Sequence, residues 1–163
     1  KNAEDRKIAP KVGESKAFRQ FLRNELMPEI KRRYRTTGET AIVGESLAGL
    51  FVVETLLQEP DLFNTYIAFD PSLWWNDGAL VKNAKTLLRK KTISGKTLYL
   101  ATSDQKEISA IARDFVAVLE KEASGRVIVH YQPMPEETHA TIYHPAAIRA
   151  FRKVFKPVPP TNR

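Results

Sequence analysis

Strand-like and helix-like segments alternate along most of this sequence. Four short apolar runs are typical of buried strands: TAIVG (40–44), TYIAFD (65–70), KTLYLATS (96–103) and RVIVHYQ (126–132). Helical patterning follows each of them, in LAGLFVVETLLQEP (47–60), DGALVKNAKTLLRKK (77–91), EISAIARDFVAVLEKEA (107–123) and about 145–155. The alternation predicts an α/β fold with a parallel sheet and right-handed crossovers.

The segment before the first strand predicts an amphipathic helix. Its apolar residues from Lys16 to Arg35 recur at helical spacing, and Pro28 is expected to bend or interrupt the helix. Four strands are fewer than a covered parallel sheet of this type usually carries. Either partner strands lie on another part of the chain, or the domain is unusually small.

The composition fits one globular core and excludes several classes of protein. With 42% hydrophobic and 28% charged residues, the 163-residue chain is neither disordered nor fibrous. No apolar run approaches the roughly 18–20 residues that span a bilayer, so we expect a soluble protein without a membrane partner. The absence of cysteine excludes disulfides, thiolate metal sites and cysteine nucleophiles. It fits cytoplasm and periplasm equally, so the compartment stays open.

The net charge of +7 is weak support for a nucleic-acid protein. The 26 Lys and Arg residues are dispersed, and the densest groups, KRRYR (31–35) and RKK (89–91), lie near the ends of predicted helices. Cations at those positions complement the helix dipole and solvate the surface. We find no zinc-finger spacing, recognition-helix pattern or aromatic-interleaved basic strand, and we expect no nucleic-acid partner.

A serine lies between two glycines where the first strand gives way to a helix. Gly44 to Gly49, GESLAG, fits G-x-S-x-G, the pattern of a nucleophile elbow. In such an elbow the backbone of the serine is strained, and the glycines let strand and helix approach without Cβ clashes. The pattern predicts Ser46 as a nucleophile and the N–H of Leu47 as an oxyanion donor at the start of the helix. A serine that merely caps the helix is the alternative.

A serine nucleophile needs a base, and the chain has three histidines. His130 lies inside a predicted strand, and His144 directly precedes Pro145 at the start of the last helix. His139 lies in a polar loop after the last strand, where the base belongs in the chain order serine, acid, histidine. His139 is therefore the predicted base.

The acid is less well determined by the sequence. Asp104 ends the third strand and is the preferred candidate, because the carboxylate usually follows the strand before last. Asp70 and Glu107 are rivals, and a serine–histidine dyad without an acid is a further alternative, because spacing alone does not choose. Asp70 also has a structural interpretation, as an Asx-type turn into Pro71.

Several of these segments are similar to one known family. GESLAGLFVVETLLQEPDLFNTYIAFDPSLWWNDGALV resembles the putative-esterase family of α/β hydrolases, which includes enterobactin-type siderophore esterases and S-formylglutathione hydrolase. FRQFLRNELMPEIKRRYR resembles the family's segment before the nucleophile strand, and EETHATIYHPAAIRAFRKVF its histidine loop and closing helix. The likeness covers most of residues 14–155 and implies a mostly parallel α/β-hydrolase sheet with helices on both faces.

The resemblance implies a role for individual residues. Ser46 matches the nucleophile and His139 the base. The closest likeness is to the branch of the family with PSLWW after the strand that follows the nucleophile helix, and the acid varies in that branch, so Asp104 stays open. Trp74 and Trp75 match a double-tryptophan loop beside the active site, where they would either line an acyl or aryl pocket or pack the loop on the sheet. Many relatives have GHSLGG here, so Glu45 and Ala48 are departures. Glu45 places a carboxylate beside the nucleophile and would affect its pKa or substrate preference.

The family's fold begins with further strands, whose loop supplies the second oxyanion N–H. We expect residues 14–156 to be the C-terminal half of an α/β-hydrolase domain that lacks its N-terminal strands, with 1–13 a disordered or linker segment and 157–163 a tail. The missing N-terminal half would then be a partner of this chain. Loss of one oxyanion donor typically costs about a hundredfold or more in turnover.

The resulting functional prediction is a serine esterase that acts by acyl transfer on a small-molecule carboxylic ester, with no metal or organic cofactor. A non-catalytic binding or regulatory domain that retains the fold is the main alternative. A binder of nucleic acid or anionic surfaces is the weaker one. The sequence determines neither the natural substrate nor the oligomeric state.

Overall fold

A computed structural model describes residues 13–155 as one stretch, together with Ala3 and Lys7. The predicted linker at 1–13 and the tail at 157–163 fall almost entirely outside the described residues. Within the described part of the chain, no helix is both long and apolar enough to cross a membrane.

The predicted parallel α/β sheet is confirmed. Its strands, in the order β1-β2-β3-β4, are all parallel: β1 (Ala41–Glu45), β2 (Thr65–Phe69), β3 (Lys96–Thr102) and β4 (Val127–Pro133). The helices are α1 (Ser15–Phe21), α2 (Met27–Arg33), α3 (Ser46–Gln58), α4 (Trp75–Lys90), α5 (Lys106–Glu122) and α6 (Tyr143–Val154), and a π-helical segment (Leu22–Leu26) joins the first two.

Helices cover both faces of the sheet, because successive strand side chains point to opposite sides. On one face Tyr66, Ala68, Leu98 and Leu100 belong to a core built with α3, α4 and α5. On the other face a second core joins strand residues to α6: Ile67, Phe69, Tyr99, Ala101, Ile142, Ala146 and Ala150. All these strand residues are buried, as expected of near-continuous apolar strands in a parallel sheet.

The interruption expected at Pro28 takes the form of the π-helical segment, which ends two residues before Pro28. Pro28 lacks an N–H and cannot donate to the carbonyl four residues back, so the helix changes its hydrogen-bonding pattern locally. Arg19 anchors this helical arm to α3. Its side chain is 6% exposed and donates to Glu54 at 3.0 Å and to Glu59 at 2.9 Å.

The outer edge of β1 pairs with no strand among residues 13–155. Val43, in the middle of β1, is 38% exposed. Four large apolar residues of the helical arm are also exposed: Phe18, Phe21, Leu26 and Ile30. An apolar groove of about 550 Å³ runs between this arm and β1. An unpaired strand edge beside apolar surface is a ready template for a further strand.

Candidate active site

Ser46 is at a sharp bend between β1 and α3. Its φ of 56° is in the left-handed region, which a non-glycine residue rarely adopts. A Cβ on Gly44 would lie 2.5 Å from the carbonyl oxygen of Ala48, and one on Gly49 would lie 3.1 Å from the Cα of Pro71. A Cβ at position 44 would clash with backbone, and one at position 49 would pack tightly against Pro71. Close backbone approach thus favours glycine at both positions of G-x-S-x-G, which is the local geometry of a nucleophile elbow.

Leu47 is the second residue of α3. Its backbone N–H has no carbonyl four residues earlier within the helix, so it belongs to the unsatisfied donors of the first turn. The partial positive charge of the helix N-terminus adds to its ability to hold an anion. The Leu47 side chain is 48% exposed, so this end of the helix faces outward.

Asp70 follows β2 and is fully buried. Its N–H donates to the carbonyl of Ala101 at 2.9 Å, and its Oδ1 accepts the N–H of Ser103 at 2.6 Å. Its Oδ2 lies 3.0 Å from Nδ1 of His139. The positive φ of Asp70, 39°, turns the chain sharply out of the strand. The carboxylate is thus held by the backbone of Ser103, directly after β3, on one side and faces an imidazole on the other.

His139 lies in the loop between β4 and α6, with its side chain 36% exposed. A carboxylate oxygen accepts, so the contact with Asp70 requires the proton on Nδ1 and leaves Nε2 as the basic nitrogen. The loop is itself ordered by hydrogen bonds: the N–H of Thr138 donates to Oγ1 of Thr141 at 2.9 Å. His139 is thereby presented at the edge of the sheet with a defined tautomer.

The carboxylate beside His139 is Asp70, which the sequence treated as a rival to Asp104. Asp104 is exposed, and its backbone N–H donates to the carbonyl of Glu137 at 2.9 Å. Glu107 is exposed in the first turn of α5. The strand order explains why Asp70, and not Asp104, lies on the side of the serine. β2 lies between β1 and β3, so the residue after β2 emerges beside Ser46, whereas Asp104, after β3, emerges one strand further away.

Ser72 was missed by the sequence analysis. It is 2% exposed, its Oγ lies 3.3 Å from Oγ of Ser46, and its N–H donates to the carbonyl of Ser46 at 3.0 Å. No hydrogen bond joins Ser46 to His139, both of which lie in the described part of the chain. The only signal was the position of Ser72 in the DPSLWW loop, two residues after Asp70.

The two tryptophans have different surroundings. Trp74 is 41% exposed, and its ring centroid lies 5.8 Å from that of Trp75. Trp75 lines a mostly apolar cavity of about 880 Å³, whose wall also includes Leu47, Ala48, Phe18 and Phe51. This cavity opens beside the N-terminus of α3. Glu45, the last residue of β1, is partly buried next to Ser46.

The other two histidines lie away from this arrangement. His130 is within β4, where burial and then the charge of Lys153 lower its pKa, and His144 is exposed in the first turn of α6. Residues 13–155 contain no group of three or more His, Asp or Glu side chains placed to hold a metal ion.

A family model described as "putative esterase" matches residues 2–139. Among curated proteins, the chain is 37% identical over 101 residues to ferri-bacillibactin esterase BesA of Bacillus subtilis, covering 60% of this chain and 35% of that protein. It is 27% identical over 119 residues to siderophore enterobactin esterase of Emericella nidulans, covering 73% and 36%. The chain thus spans about a third of the length of these relatives.

Solved structures agree on the fold. An IroE-like serine hydrolase from Shewanella oneidensis matches with a TM-score of 0.81 and 27% identity, over 88% of this chain and 48% of that one. The BES protein from Bacillus cereus matches with a TM-score of 0.79 and 21% identity, over 88% of this chain and 55% of that one. The four-strand sheet therefore corresponds to part of a larger α/β arrangement in both.

Proposed function

The chain belongs to the putative-esterase family, and from that premise we propose that it is a serine hydrolase that cleaves carboxylic esters by acyl transfer. One observation carries the proposal: the buried carboxylate of Asp70 lies 3.0 Å from Nδ1 of His139, at the sheet edge where Ser46 occupies its strained bend. A buried carboxylate that fixes the tautomer of a histidine, at the sheet edge that carries an elbow serine, supports a catalytic triad of Ser46, His139 and Asp70.

The proposed reaction begins when Oγ of Ser46 attacks the ester carbonyl carbon. Nε2 of His139 takes the Ser46 proton, while Asp70 holds the Nδ1 proton and stabilises the imidazolium. The N–H of Leu47 donates to the oxyanion. His139 then passes the proton to the leaving alkoxide, and a water molecule deprotonated by His139 cleaves the acyl-enzyme to a carboxylic acid and free Ser46.

The mechanism requires Ser46 to exchange its contact with Ser72 for one with His139. The contact between the two serine hydroxyls is long, 3.3 Å, and therefore weak. Catalytic hydrogen bonds often tighten only when substrate is bound. No metal or organic cofactor is required by these steps.

For the substrate we propose a siderophore ester. The supporting relatives carry the names ferri-bacillibactin esterase, siderophore triacetylfusarinine C esterase and siderophore enterobactin esterase. The apolar cavity of about 880 Å³ beside Leu47, with Trp75 in its wall, suits the acyl or aryl portion of such a molecule. Trp74 and Glu45 are proposed to contact the substrate closer to Ser46.

For the partner we propose further strands of the same hydrolase domain, bound at the free edge of β1. Three observations support strands of the same domain as the partner: Val43 is exposed, an apolar groove of about 550 Å³ lies beside β1, and this chain spans about a third of its relatives' length. A strand there would also bring the second oxyanion N–H that the family resemblance implies. The test is amide hydrogen exchange of the full-length protein: slow exchange of the β1 amides that face away from β2 supports the proposal, and exchange of those amides as fast as in an open loop contradicts it.

The activity is tested with a short-chain nitrophenyl ester and a catecholate siderophore ester on the full-length protein. We expect hydrolysis of both, loss of at least a thousandfold in Ser46→Ala, and no change in Ser94→Ala, an exposed serine outside the site. A folded protein that hydrolyses neither ester would instead support a non-catalytic binding domain.

A further inference from the structure

A second pocket, of about 600 Å³, lies on the flank of the sheet between β4 and α6. Its wall contains Tyr99, His130, Gln132, Arg149, Arg152 and Lys153. Ser46, Asp70 and His139 do not line this pocket, so the proposed ester hydrolysis does not explain its presence. Tyr99 and His130 are direct neighbours in the register of β3 and β4 and therefore lie on the same face of the sheet, the face covered by α6.

Tyr99 is the most buried residue of this pocket, at 3% exposure, and its ring packs edge-on against Phe69. Its hydroxyl is the one buried side-chain polar atom of residues 13–155 that has no hydrogen-bond partner. Burial raises the pKa of Tyr99, so the hydroxyl stays protonated and is a donor. Buried hydroxyls are normally paired, so this one calls for an explanation. It has almost no accessible surface of its own, and a ligand in the pocket reaches it only if a neighbouring side chain such as Arg149, whose charge acts on Tyr99, moves aside.

The charges around that hydroxyl are mostly positive. Arg149, Arg152 and Lys153 project from the last two turns of α6, where the helix C-terminus provides no donors of its own. Arg149 is paired with Glu136 at 3.1 Å, and both side chains are about half exposed. Arg152 and Lys153 pair with no acidic side chain among the described residues. The pocket thus has three cations and one carboxylate at its rim.

His130 adds a neutral group that responds to charge. Burial, and then the positive charge of Lys153, lower the pKa of His130. At neutral pH the ring is therefore uncharged and offers one N–H donor. The charged and titratable groups that line the pocket with it are Tyr99 from β3, Tyr131 from β4, and Arg149, Arg152 and Lys153 from α6. Glu136, from the loop before α6, pairs with Arg149.

We propose that this pocket binds a small oxyanion, the carboxylate or phosphate group of a small molecule, with Arg152 and Lys153 supplying charge and the Tyr99 hydroxyl a buried hydrogen bond. Cations without acidic partners favour an anion, and the tyrosine adds direction. Arg149 also binds the anion once its salt bridge with Glu136 is broken, and breaking an exposed salt bridge costs little. The binding site is separate from the proposed ester-cleaving site and does not depend on that proposal.

The test is an NMR titration of the protein with inorganic phosphate and, separately, with acetate, at ionic strength held constant with sodium chloride. We expect saturable shifts confined to β4, α6 and the ring of Tyr99 for at least one of the two anions. Saturation with phosphate alone indicates a phosphate site, and saturation with acetate indicates a carboxylate site. The pKa of His130 should rise when the anion is bound, because a bound negative charge favours the imidazolium.

Variants distinguish specific anion binding in this pocket from general electrostatic attraction of anions to a basic protein. The double variant Arg152→Gln, Lys153→Gln should lose saturable binding, and Tyr99→Phe should weaken it about tenfold, the usual effect of one hydrogen bond to a charged group. The matched control Arg113→Gln, Lys121→Gln removes two exposed cations of α5 and should leave affinity unchanged. Shifts that spread over all basic residues, or equal effects of the two double variants, indicate adventitious ion binding only and overturn the proposal. So does unchanged affinity in Tyr99→Phe.

Discussion

Nδ1 of His139 lies 3.0 Å from Oδ2 of Asp70, a buried carboxylate 69 positions earlier in the chain. The contact crosses the C-terminal edge of the sheet, joining the loop after β4 to the end of β2. It makes Asp70 the proposed acid, and a comparison of two aspartates tests that choice. Asp70→Asn should lower kcat/KM for a nitrophenyl ester by a thousandfold or more, because an amide no longer holds the Nδ1 proton in place.

Asp104→Asn is the matched variant, since Asp104 was the acid preferred from the sequence. It is exposed and should retain kcat/KM within about twofold, as an exposed surface change usually does. Thermal unfolding of both variants controls for the backbone bond that Asp70 also makes with Ser103. Equal losses in the two variants, or the larger loss in Asp104→Asn, would contradict the assignment.

The glycines of the elbow give a prediction about stability. In Gly44→Ala the new Cβ would meet the Ala48 carbonyl oxygen at 2.5 Å, and backbone cannot move aside as a flexible side chain can. We expect a loss of about 3 kcal/mol or more in the free energy of unfolding, beyond the usual range for overpacking. Gly38→Ala, where a Cβ meets nothing within 4 Å, should be neutral or slightly stabilising. Urea denaturation checks both, and a Gly44→Ala protein as stable as Gly38→Ala would refute the close approach.

The two buried tyrosines should respond oppositely to loss of their hydroxyls. Tyr66 donates to the carbonyl of Pro60 at 3.2 Å and accepts the N–H of Phe63 at 3.3 Å, so Tyr66→Phe should cost about 1–2 kcal/mol of stability. Tyr99→Phe removes a hydroxyl without a partner and should be neutral or stabilising. Comparable destabilisation in both would mean that Tyr99 has a partner within the protein.

Arg19 links the helical arm to α3 and gives a pH-dependent prediction. Burial raises the pKa of Glu59, but the bonds from Arg19 and Arg23 outweigh it and hold that pKa below its usual value. The stabilisation from a lowered carboxyl pKa is present above the unfolded-state pKa and is lost as pH falls through the folded-state pKa. Wild type should therefore lose stability on acidification below about pH 4.5, the usual range of Glu.

In Arg19→Ala that acid-dependent loss should be smaller, because much of the stabilisation is already gone. At pH 7 the variant should be destabilised by about 2 kcal/mol, since Arg19 is buried and has two charged partners. Arg32→Ala, which removes an exposed pair with Glu29, should leave the free energy of unfolding nearly unchanged. Thermal unfolding between pH 3 and 7 compares them, and parallel curves for wild type and Arg19→Ala would count against the account.

Much of the fold followed from local patterns. The four apolar runs became strands because each is short and rich in β-branched or aromatic residues. β2 and β3 are mostly buried on both faces, whereas β1 and β4, at the edges of the four-strand sheet, are partly exposed. The elbow glycines occur at the spacing that the close approach of strand and helix requires. The helix after Ser46 began where the pattern placed it, within one residue. These features depend on neighbours in sequence, so sequence could predict them.

The contacts made by Asp70 and Ser72 could not be predicted in the same way. Both depend on which strand lies beside β1, and the local sequence patterns do not predict strand order. An Asx-type turn into Pro71 already explains an aspartate at position 70, so the sequence offered Asp70 as only one of several candidates for the acid beside His139. The orphan hydroxyl of Tyr99 likewise depends on the position of α6 over β3. Pairings between distant segments require the assembled sheet.

The most direct test of the account is the site at which a fluorophosphonate probe attaches, determined by peptide mass spectrometry of the labelled full-length protein. We expect a single adduct on Ser46, which is absent in Ser46→Ala and forms more slowly in Asp70→Asn. An adduct on the neighbouring Ser72, or no adduct on a folded protein, would contradict it.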